Sequence, residues 1–290
     1  MKIVILGARG RLGAALMREY RDKFEVVGFN HAQLDLGKPE EIHAEIDKLD
    51  FDVLINAAAF TNVDLCETER EQAFAINAEA PKVLGEICSE KNAKLIHIST
   101  DYVFDGEKRE PYVETDAAEP ISVYGESKRA GEKNVLAGRD QHLIVRVSWV
   151  FGPDRPSFID AMIKRAREEE QINAIADKFS TPTYTHDIAE MVSRFFDVDV
   201  PGGFLHFANN GECSWQEYAQ HALDCCRASG ISLKAKTVGP AKIADMKNWI
   251  ARRPVYSVLS TAKYAKLTSV TPRSWRDAVS DYIERSYSKK

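Results

Sequence analysis

Three things are scarce in this 290-residue chain: basic excess, long apolar runs and paired cysteines. The net charge is -5. Binding to a phosphate backbone usually draws on a basic excess, so nucleic acid is not an expected partner. Local basic residues can still hold a small anionic ligand. The first apolar run, Ile3 to Leu6, is far shorter than a signal-peptide core or a bilayer span. The expectation is therefore a soluble, cytoplasmic protein with no membrane partner. The five cysteines, Cys66, Cys88, Cys213, Cys225 and Cys226, are odd in number and have no metal-ligand spacing. They read as reduced thiols, with no metal site. What remains is ordinary globular material, 44% hydrophobic and 29% charged. The length suffices for one large domain or two modest ones with a substantial core.

The first half alternates strand-like and helix-like stretches. Lys2 to Leu6, Phe24 to Phe29, Val53 to Asn56, Lys94 to Ser99 and Leu143 to Trp149 read as strands. Leu12 to Tyr20, Pro39 to Leu49, Glu69 to Asn92 and Ser127 to Ala137 read as helices between them. Strands alternating with helices of this length imply βαβ units, a parallel sheet and right-handed crossovers. The predicted class is α/β, a Rossmann-type doubly wound parallel sheet with a smaller, mixed α/β substrate domain. Residues 1–149 form the dinucleotide-binding domain in this reading, rejoined by parts of 180–200 and 251–262. Residues 150–290 are mainly the substrate-binding domain, entered through a Gly- and Pro-bearing loop from Phe151 to Pro156. Helices are expected there at Phe158 to Glu170, Asp187 to Phe196 and Trp215 to Ser229. No linker separates the halves, so the two should share a cleft.

Residues 7 to 13 read Gly7-Ala8-Arg9-Gly10-Arg11-Leu12-Gly13, a GxxGxxG spacing after a strand and before a helix. Glycine allows a tight turn and close approach of backbone to a pyrophosphate. The next helix offers free N–H groups and a positive dipole end. In that context the loop marks a dinucleotide site, where a bare strand-helix turn is the bland alternative. An NAD site usually places an acid at the end of the second strand. Here the strand ends Val27-Gly28-Phe29-Asn30-His31, with none. Arg9 and Arg11 can meet a 2′-phosphate, or be solvated surface charge. Asp35 follows as a cap near the adenine, with Asn30 and Leu36 at the same edge. The cofactor favoured is NADPH, with NADH still open.

Tyr124 and Lys128 form Tyr-x-x-x-Lys at the start of a helix, and so share one helix face. A lysine ammonium near a phenol favours the phenolate and lowers the tyrosine pKa. Such a tyrosine can protonate a carbonyl oxygen as hydride reaches the carbon, while the lysine holds the nicotinamide ribose. Upstream, His97-Ile98-Ser99-Thr100-Asp101-Tyr102-Val103-Phe104 ends a strand in hydroxyls. Ligands of open parallel sheets sit beyond the carboxyl ends of strands, which places Thr100 to bond the same carbonyl oxygen. Turn chemistry for Ser99 and Thr100, and edge packing for Tyr102, are the plain alternatives.

Taken together these pieces resemble the extended short-chain dehydrogenases/reductases, and more specifically the dTDP-4-dehydrorhamnose reductase family. The stretches that carry the resemblance begin with the glycine loop, Ile55 to Asp64, Ser99 to Phe104 and Val123 to Lys128. They continue with Arg146 to Gly152, Pro182 to Asp187 and Ala251 to Pro254, and so run through nearly the whole chain. The resemblance implies a catalytic set of Thr100, Tyr124 and Lys128. It implies that Gly7, Gly10 and Gly13 hold the pyrophosphate beside Leu12. Asn56, Ala57 and Ala58 line the cofactor cleft, with Tyr124 and Lys128 touching the cofactor too. Val63, Thr100, Asp101, Tyr102 and Trp149 line the sugar site. Arg253 faces the substrate's phosphates with a bidentate guanidinium.

Departures from the family cluster on the substrate side. Ser157 stands where Asn is usual, Asp177-Lys178-Phe179-Ser180 where Asp-Gln-Phe-Gly is usual, and Tyr256 where Asn is usual. Some relatives bind magnesium at a dimer interface through an acid at the position of Ala15, so no metal is expected here. The activity implied is NAD(P)H-dependent reduction of a 4-keto group on a nucleotide-linked deoxysugar, first dTDP-4-dehydro-L-rhamnose to dTDP-L-rhamnose. Another nucleotide-sugar reductase or epimerase, or a non-catalytic regulatory subunit, remains open. The molecule is expected to be a monomer or homodimer.

Overall fold

A computed structural model describes residues 1–138, 141–197 and 202–287. The chain opens as β1 (Lys2–Leu6), α1 (Arg11–Tyr20), β2 (Glu25–Phe29), α2 (Pro39–Ile46) and β3 (Val53–Asn56). Two short helices follow, α3 (Val63–Thr68) and α4 (Arg70–Phe74), then a π-helical turn at Ala75–Glu79 and α5 (Ala80–Glu90). The sheet resumes with β4 (Lys94–Thr100), α6 (Val123–Gly138) and β5 (Leu143–Val147). The remainder is β6 (Val150–Phe151), α7 (Phe158–Glu168), β7 (Ile172–Ile175), β8 (Phe179–Ser180), β9 (Thr183–Tyr184) and α8 (Thr185–Ser193). It ends with β10 (Gly203–His206), β11 (Cys213–Ser214), α9 (Trp215–Ala228), β12 (Val238–Ala241), α10 (Ala262–Thr268) and α11 (Trp275–Tyr287).

The main sheet has six strands in the order β10-β5-β4-β3-β1-β2, and every pairing in it is parallel. The order reverses between β1 and β3, where a doubly wound sheet opens a crevice for ligand. Alternate residues of the buried strands feed opposite faces. Ile3 and Ile5 pack with Leu16, Val53, Ile188 and Phe195 on one side. Val4 and Leu6 pack with Ile42, Leu54, Ile87 and Ile144 on the other. A separate core gathers Phe151, Ile159, Ile163, Tyr218, Leu223, Trp275 and Ile283. Helix α8 and Tyr264 belong to the sheet's core although they come late in the chain.

Two differences from the sequence reading have local causes. The strand expected to run to Trp149 ends at Val147, because Trp149 takes a left-handed backbone with φ 39°. The single helix expected from Glu69 to Asn92 is broken by the π-helical turn, with Pro81 opening the regular part. Ser157 does what the usual Asn would do at a helix start. Its N–H and hydroxyl both donate to Asp160 at 2.6 Å, capping α7. All five cysteines are unpaired. No helix among the described residues is long and apolar enough to cross a membrane.

Candidate active site

A cleft of about 810 Å³ opens at the carboxyl ends of the central strands. Its wall is built from the turns after β1, β2 and β3 and from the ends of β4 and β5. Of the expected cofactor residues, Gly7, Arg9, Gly10, Arg11, Leu12, Asn30, Leu36, Ala57 and Ala58 line it. Of the expected substrate residues, Val63, Thr100, Asp101, Tyr102 and Trp149 do so, and Tyr124 and Lys128 stand in the same space. Gly13, Asp35, Asn56 and Arg253 lie off the wall.

The glycine loop fits a dinucleotide. Gly7 has φ 78°, and a side chain there would meet the Ala58 nitrogen at 2.9 Å. A side chain on Gly13 would fall 2.1 Å from the Gly7 carbonyl oxygen, so Gly13 supports the loop from behind. Gly10 caps α1 without any side-chain hydrogen bond, and the first turn carries no acid. Its N–H groups are thus left for an anion. At the end of β2 the Asn30 side chain is held by Gln33 and by the Ala32 N–H. Asp35 accepts from the Gly37 N–H at 2.9 Å and does not reach the wall. Arg11 donates to the carbonyl oxygens of Arg155 (3.3 Å) and Pro156 (2.5 Å), and Arg155 donates back to that of Arg9 (2.9 Å). Arg155 lines the cleft and was not found in the sequence, where its loop read only as an exit from the first domain.

Helix α6 presents Tyr124 and Lys128 one turn apart. The helix is fixed by Glu132, fully buried, which accepts from Ser99 on β4 (2.7 Å) and from Arg146 on β5 (2.8 Å twice). Thr100 stands beside the Tyr124 phenol, donates to Asp101 at 3.1 Å and accepts from the Tyr102 N–H at 3.2 Å. Burial raises the Tyr124 phenol above its ordinary value. The Thr100 bond opposes this, while Asp101 and Cys66 add to it. The lowering expected from Lys128 does not appear. That amine turns to the Ile98 carbonyl oxygen (2.7 Å) and to His97 Nε2 (3.2 Å). Burial pushes the Lys128 amine down to about 8, with Glu132 pulling the other way.

The substrate end is aromatic and carries buried charge. Trp149 Nε1 is buried with no hydrogen-bond partner among the described protein atoms. The same residue carries the strained backbone already described, with φ 39°. Lys178, fully buried, lies over the Tyr102 ring (5.2 Å) and the Trp149 ring (5.8 Å). It donates to the Pro254 carbonyl oxygen at 2.6 Å. Burial holds it down to about 8 despite Asp101 beside it. Arg253 grips Asp64 through two bonds, 3.1 and 2.7 Å, and stacks 3.8 Å from the Trp249 ring. The Arg253 bond holds the Asp64 carboxyl down to about 2. Among the described residues no group of three or more His, Cys, Asp and Glu could hold a metal ion.

The comparisons with known proteins span the chain. The family described as RmlD substrate binding domain matches residues 1–288. The chain is 32% identical to the spore coat polysaccharide biosynthesis protein SpsK of Bacillus subtilis (strain 168), covering 98% of this chain and 97% of that protein. It is also 32% identical to the dTDP-4-dehydrorhamnose reductase of Aggregatibacter actinomycetemcomitans, covering 96% and 97%. The crystal structure of dTDP-4-dehydrorhamnose reductase from Bacillus anthracis str. Ames in complex with NADP superposes with a TM-score of 0.92, at 30% identity over 98% of this chain and 99% of that one. A match of this extent, over a glycine loop and a Thr-Tyr-Lys cleft on one doubly wound sheet, places the chain in the RmlD substrate binding domain family.

Proposed function

We propose that this chain reduces the 4-keto group of a nucleotide-linked 6-deoxyhexose with NADPH, turning dTDP-4-dehydro-L-rhamnose into dTDP-L-rhamnose. The observation that carries this reading is the meeting of Thr100, Tyr124 and Lys128 with the glycine loop in one cleft. The chain's residues fit a dinucleotide. Gly7, Gly10 and the start of α1 would take the pyrophosphate, and Ala57, Ala58 and Lys128 would border the nicotinamide half. When bound, the reduced nicotinamide supplies a hydride. Tyr124 gives its proton to the carbonyl oxygen of the sugar, and a positioned acid of this kind contributes roughly a hundredfold or more in rate. Thr100 fixes the phenol and the carbonyl oxygen in one place. Its hydroxyl, which donates to Asp101 at 3.1 Å, turns from that carboxylate to donate to the phenol oxygen or to the carbonyl oxygen.

Val63, Tyr102 and Trp149 wall the sugar, and the flat face of Trp149 suits a ring bearing a methyl group. Arg9, Arg11 and Arg155 are the arginines on the wall. Arg253 reaches a diphosphate only by leaving Asp64. Residues 1–149, rejoined by parts of 180–200 and 251–262, form the cofactor unit in this reading, and 150–290 mainly the substrate unit. The packing of α8 on the sheet supports the rejoining, and residues 139–140, 198–201 and 288–290 lie outside the described residues. A cytoplasmic enzyme, monomer or homodimer, suits five free thiols and a phosphorylated substrate.

The buried Lys178 beside Asp101 favours a second reading, a related keto-sugar or another nucleotide base on the same chemistry. The deciding experiment compares kcat/KM for the dTDP-linked 4-keto sugar, its UDP counterpart and the free keto-sugar. A clear preference for the dTDP form is expected. Equal values for free and nucleotide-linked sugars would sink the nucleotide claim, and a large preference for UDP would keep the reductase and discard rhamnose.

A further inference from the structure

One chain of hydrogen bonds behind the cleft has a direction, and that direction fixes a charge. It begins at the Ala58 N–H, which donates to Asn56 Oδ1 at 3.2 Å. With its oxygen so engaged, Asn56 presents its NH₂ to His97 Nδ1, also at 3.2 Å. An NH₂ can only donate, so Nδ1 must accept. His97 is fully buried, and burial followed by the nearby Lys128 keeps it neutral at ordinary pH. A neutral imidazole that accepts at Nδ1 carries its proton on Nε2. That nitrogen lies 3.2 Å from Lys128 Nζ, whose own N–H donates to the Ile98 carbonyl oxygen at 2.7 Å. Read in this direction, every donor meets an acceptor only if Lys128 is a neutral amine whose lone pair takes the Nε2–H.

A charged Lys128 demands the reverse. The ammonium has no lone pair, so His97 Nε2 must accept and the ring proton must move to Nδ1. Asn56 must then turn its oxygen toward Nδ1 and release the Ala58 N–H. Ala58 lines the cofactor cleft, and its nitrogen lies 2.9 Å from where a side chain on Gly7 would fall. The charge on the lysine and the freedom of a backbone donor on the cofactor wall are thus one event. All three side chains are sealed: Asn56 and His97 are 0% exposed and Lys128 1%. Water is not at hand to repair a mismatch, and a buried unpaired donor costs about 1–3 kcal/mol.

We propose that Asn56 and His97 are positioning residues that set the charge of Lys128 and couple it to the Ala58 edge of the cofactor cleft. The charged and titratable groups facing Lys128 from the packed elements are few. Tyr124 and Glu132 lie on its own helix and His97 on β4. Arg146 on β5 and Arg129 reach it only across Glu132, whose charge they share. Glu132 favours the ammonium and burial opposes it. With those terms opposed, a reversible hydrogen-bond chain can decide the balance.

The inference rests on the reading of Lys128 as a catalytic group, and its first test does not. The imidazole nitrogens of His97 are observed by ¹⁵N NMR in the cofactor-free chain as pH is varied. The expected result is the Nε2–H tautomer above pH 8, passing to Nδ1–H as the lysine gains its proton. Asn56→Asp replaces the NH₂ by an oxygen that can accept from the ring and should hold the Nδ1–H form throughout. In Asn56→Asp the alkaline limb of kcat against pH should move up by about one pH unit, tenfold in proton affinity. His97→Gln is the second variant should Asn56→Asp fail to fold. Its amide can turn an oxygen to the ammonium, and the limb should again move up. A His97 tautomer that never changes with pH would overturn the proposal. So would an alkaline limb that stays in place in the folded variants. Loss of keto-sugar turnover with an intact tautomer switch would instead count against the function and leave this inference standing.

Discussion

Glu132→Gln is the sharpest probe of how the fold holds the site. The carboxylate is 0% exposed and accepts from Ser99, from both sides of the Arg146 fork and from Arg129 at 3.3 Å. Arg146 is 1% exposed, lies between the rings of Phe204 (4.4 Å) and Phe104 (5.0 Å), and has no other carboxylate partner among the described residues. Glutamine keeps the shape but removes the charge, and turns an NH₂ toward the guanidinium's own donors. Breaking a buried pair from one side costs about 3–5 kcal/mol, because the remaining ion is uncompensated. Against a total stability of about 5–15 kcal/mol that is a large loss. With a urea slope of about 3 kcal/mol/M, the unfolding midpoint should fall by on the order of 1 M. Urea titration followed by tryptophan fluorescence measures it. Glu132→Gln/Arg146→Met removes both charges and should recover much of the loss. A midpoint within about 0.2 M of wild type for the single variant would refute the reasoning. A double variant less stable still would show that the stranded guanidinium is not the cause.

Tyr124→Phe should cut turnover at least about a hundredfold, or about 2.7 kcal/mol of barrier, with cofactor affinity little changed. Lys128→Ala should damage both, and retention of more than about half the rate in Tyr124→Phe would remove it from the chemistry. NADPH should bind at least as tightly as NADH, and Arg9→Ala should erode that preference more than Arg11→Ala, whose donors are engaged by the 155–156 carbonyls. Titration calorimetry showing about a tenfold preference for NADH would reverse the reading. Asp64 has a folded pKa of about 2, below its ordinary 3.8. Its contribution is therefore present above pH 3.8 and lost as pH falls through about 2. Asp64→Asn should flatten the stability curve in that window, and an unchanged acid limb in denaturant titrations would argue against the Arg253 pair.

Of the five strands read from the sequence, four are buried at nearly every position, and the half-exposed β2 is the exception. β1, β3, β4 and most of β5 are short apolar runs with 0–7% exposure at nearly every position, and no surface constraint competes with the pattern. β10 was not legible, because Gly203–His206 starts with two half-exposed residues, the first a glycine. Its place beside β5 is decided by tertiary pairing. The left-handed turn at Trp149 was equally hidden, since a tryptophan gives no local signal for positive φ. For the site, the glycine loop and Tyr124/Lys128 were legible because their geometry is a spacing along the chain. His97 was not. It is 41 residues from Asn56 and 31 from Lys128, so only the sheet brings the three together.

The substrate end fails to be legible for a related reason: its unusual residues act as one unit. Lys178 binds the Pro254 carbonyl oxygen, Ser180 binds Asp101 (3.2 Å) and the Ser257 carbonyl oxygen (3.2 Å), and Ser257 binds Asp101 (2.6 Å). Tyr256, between Pro254 and Ser257, donates to Glu212 at 2.6 Å. The departures at 178 and 180 therefore converge on the 254–257 segment and on Asp101, which accepts the proton of Thr100, while Tyr256 of that segment turns to Glu212. Burial pushes Asp101 upward and Lys178 is the cation that opposes it most. Reverting Lys178 alone to the family's glutamine would strand Asp101, and reverting Ser180 alone would take away one of its three hydroxyl donors. Lys178 and Ser180 are thus tied together through the 254–257 segment and Asp101, a dependence across the fold that no local motif could name.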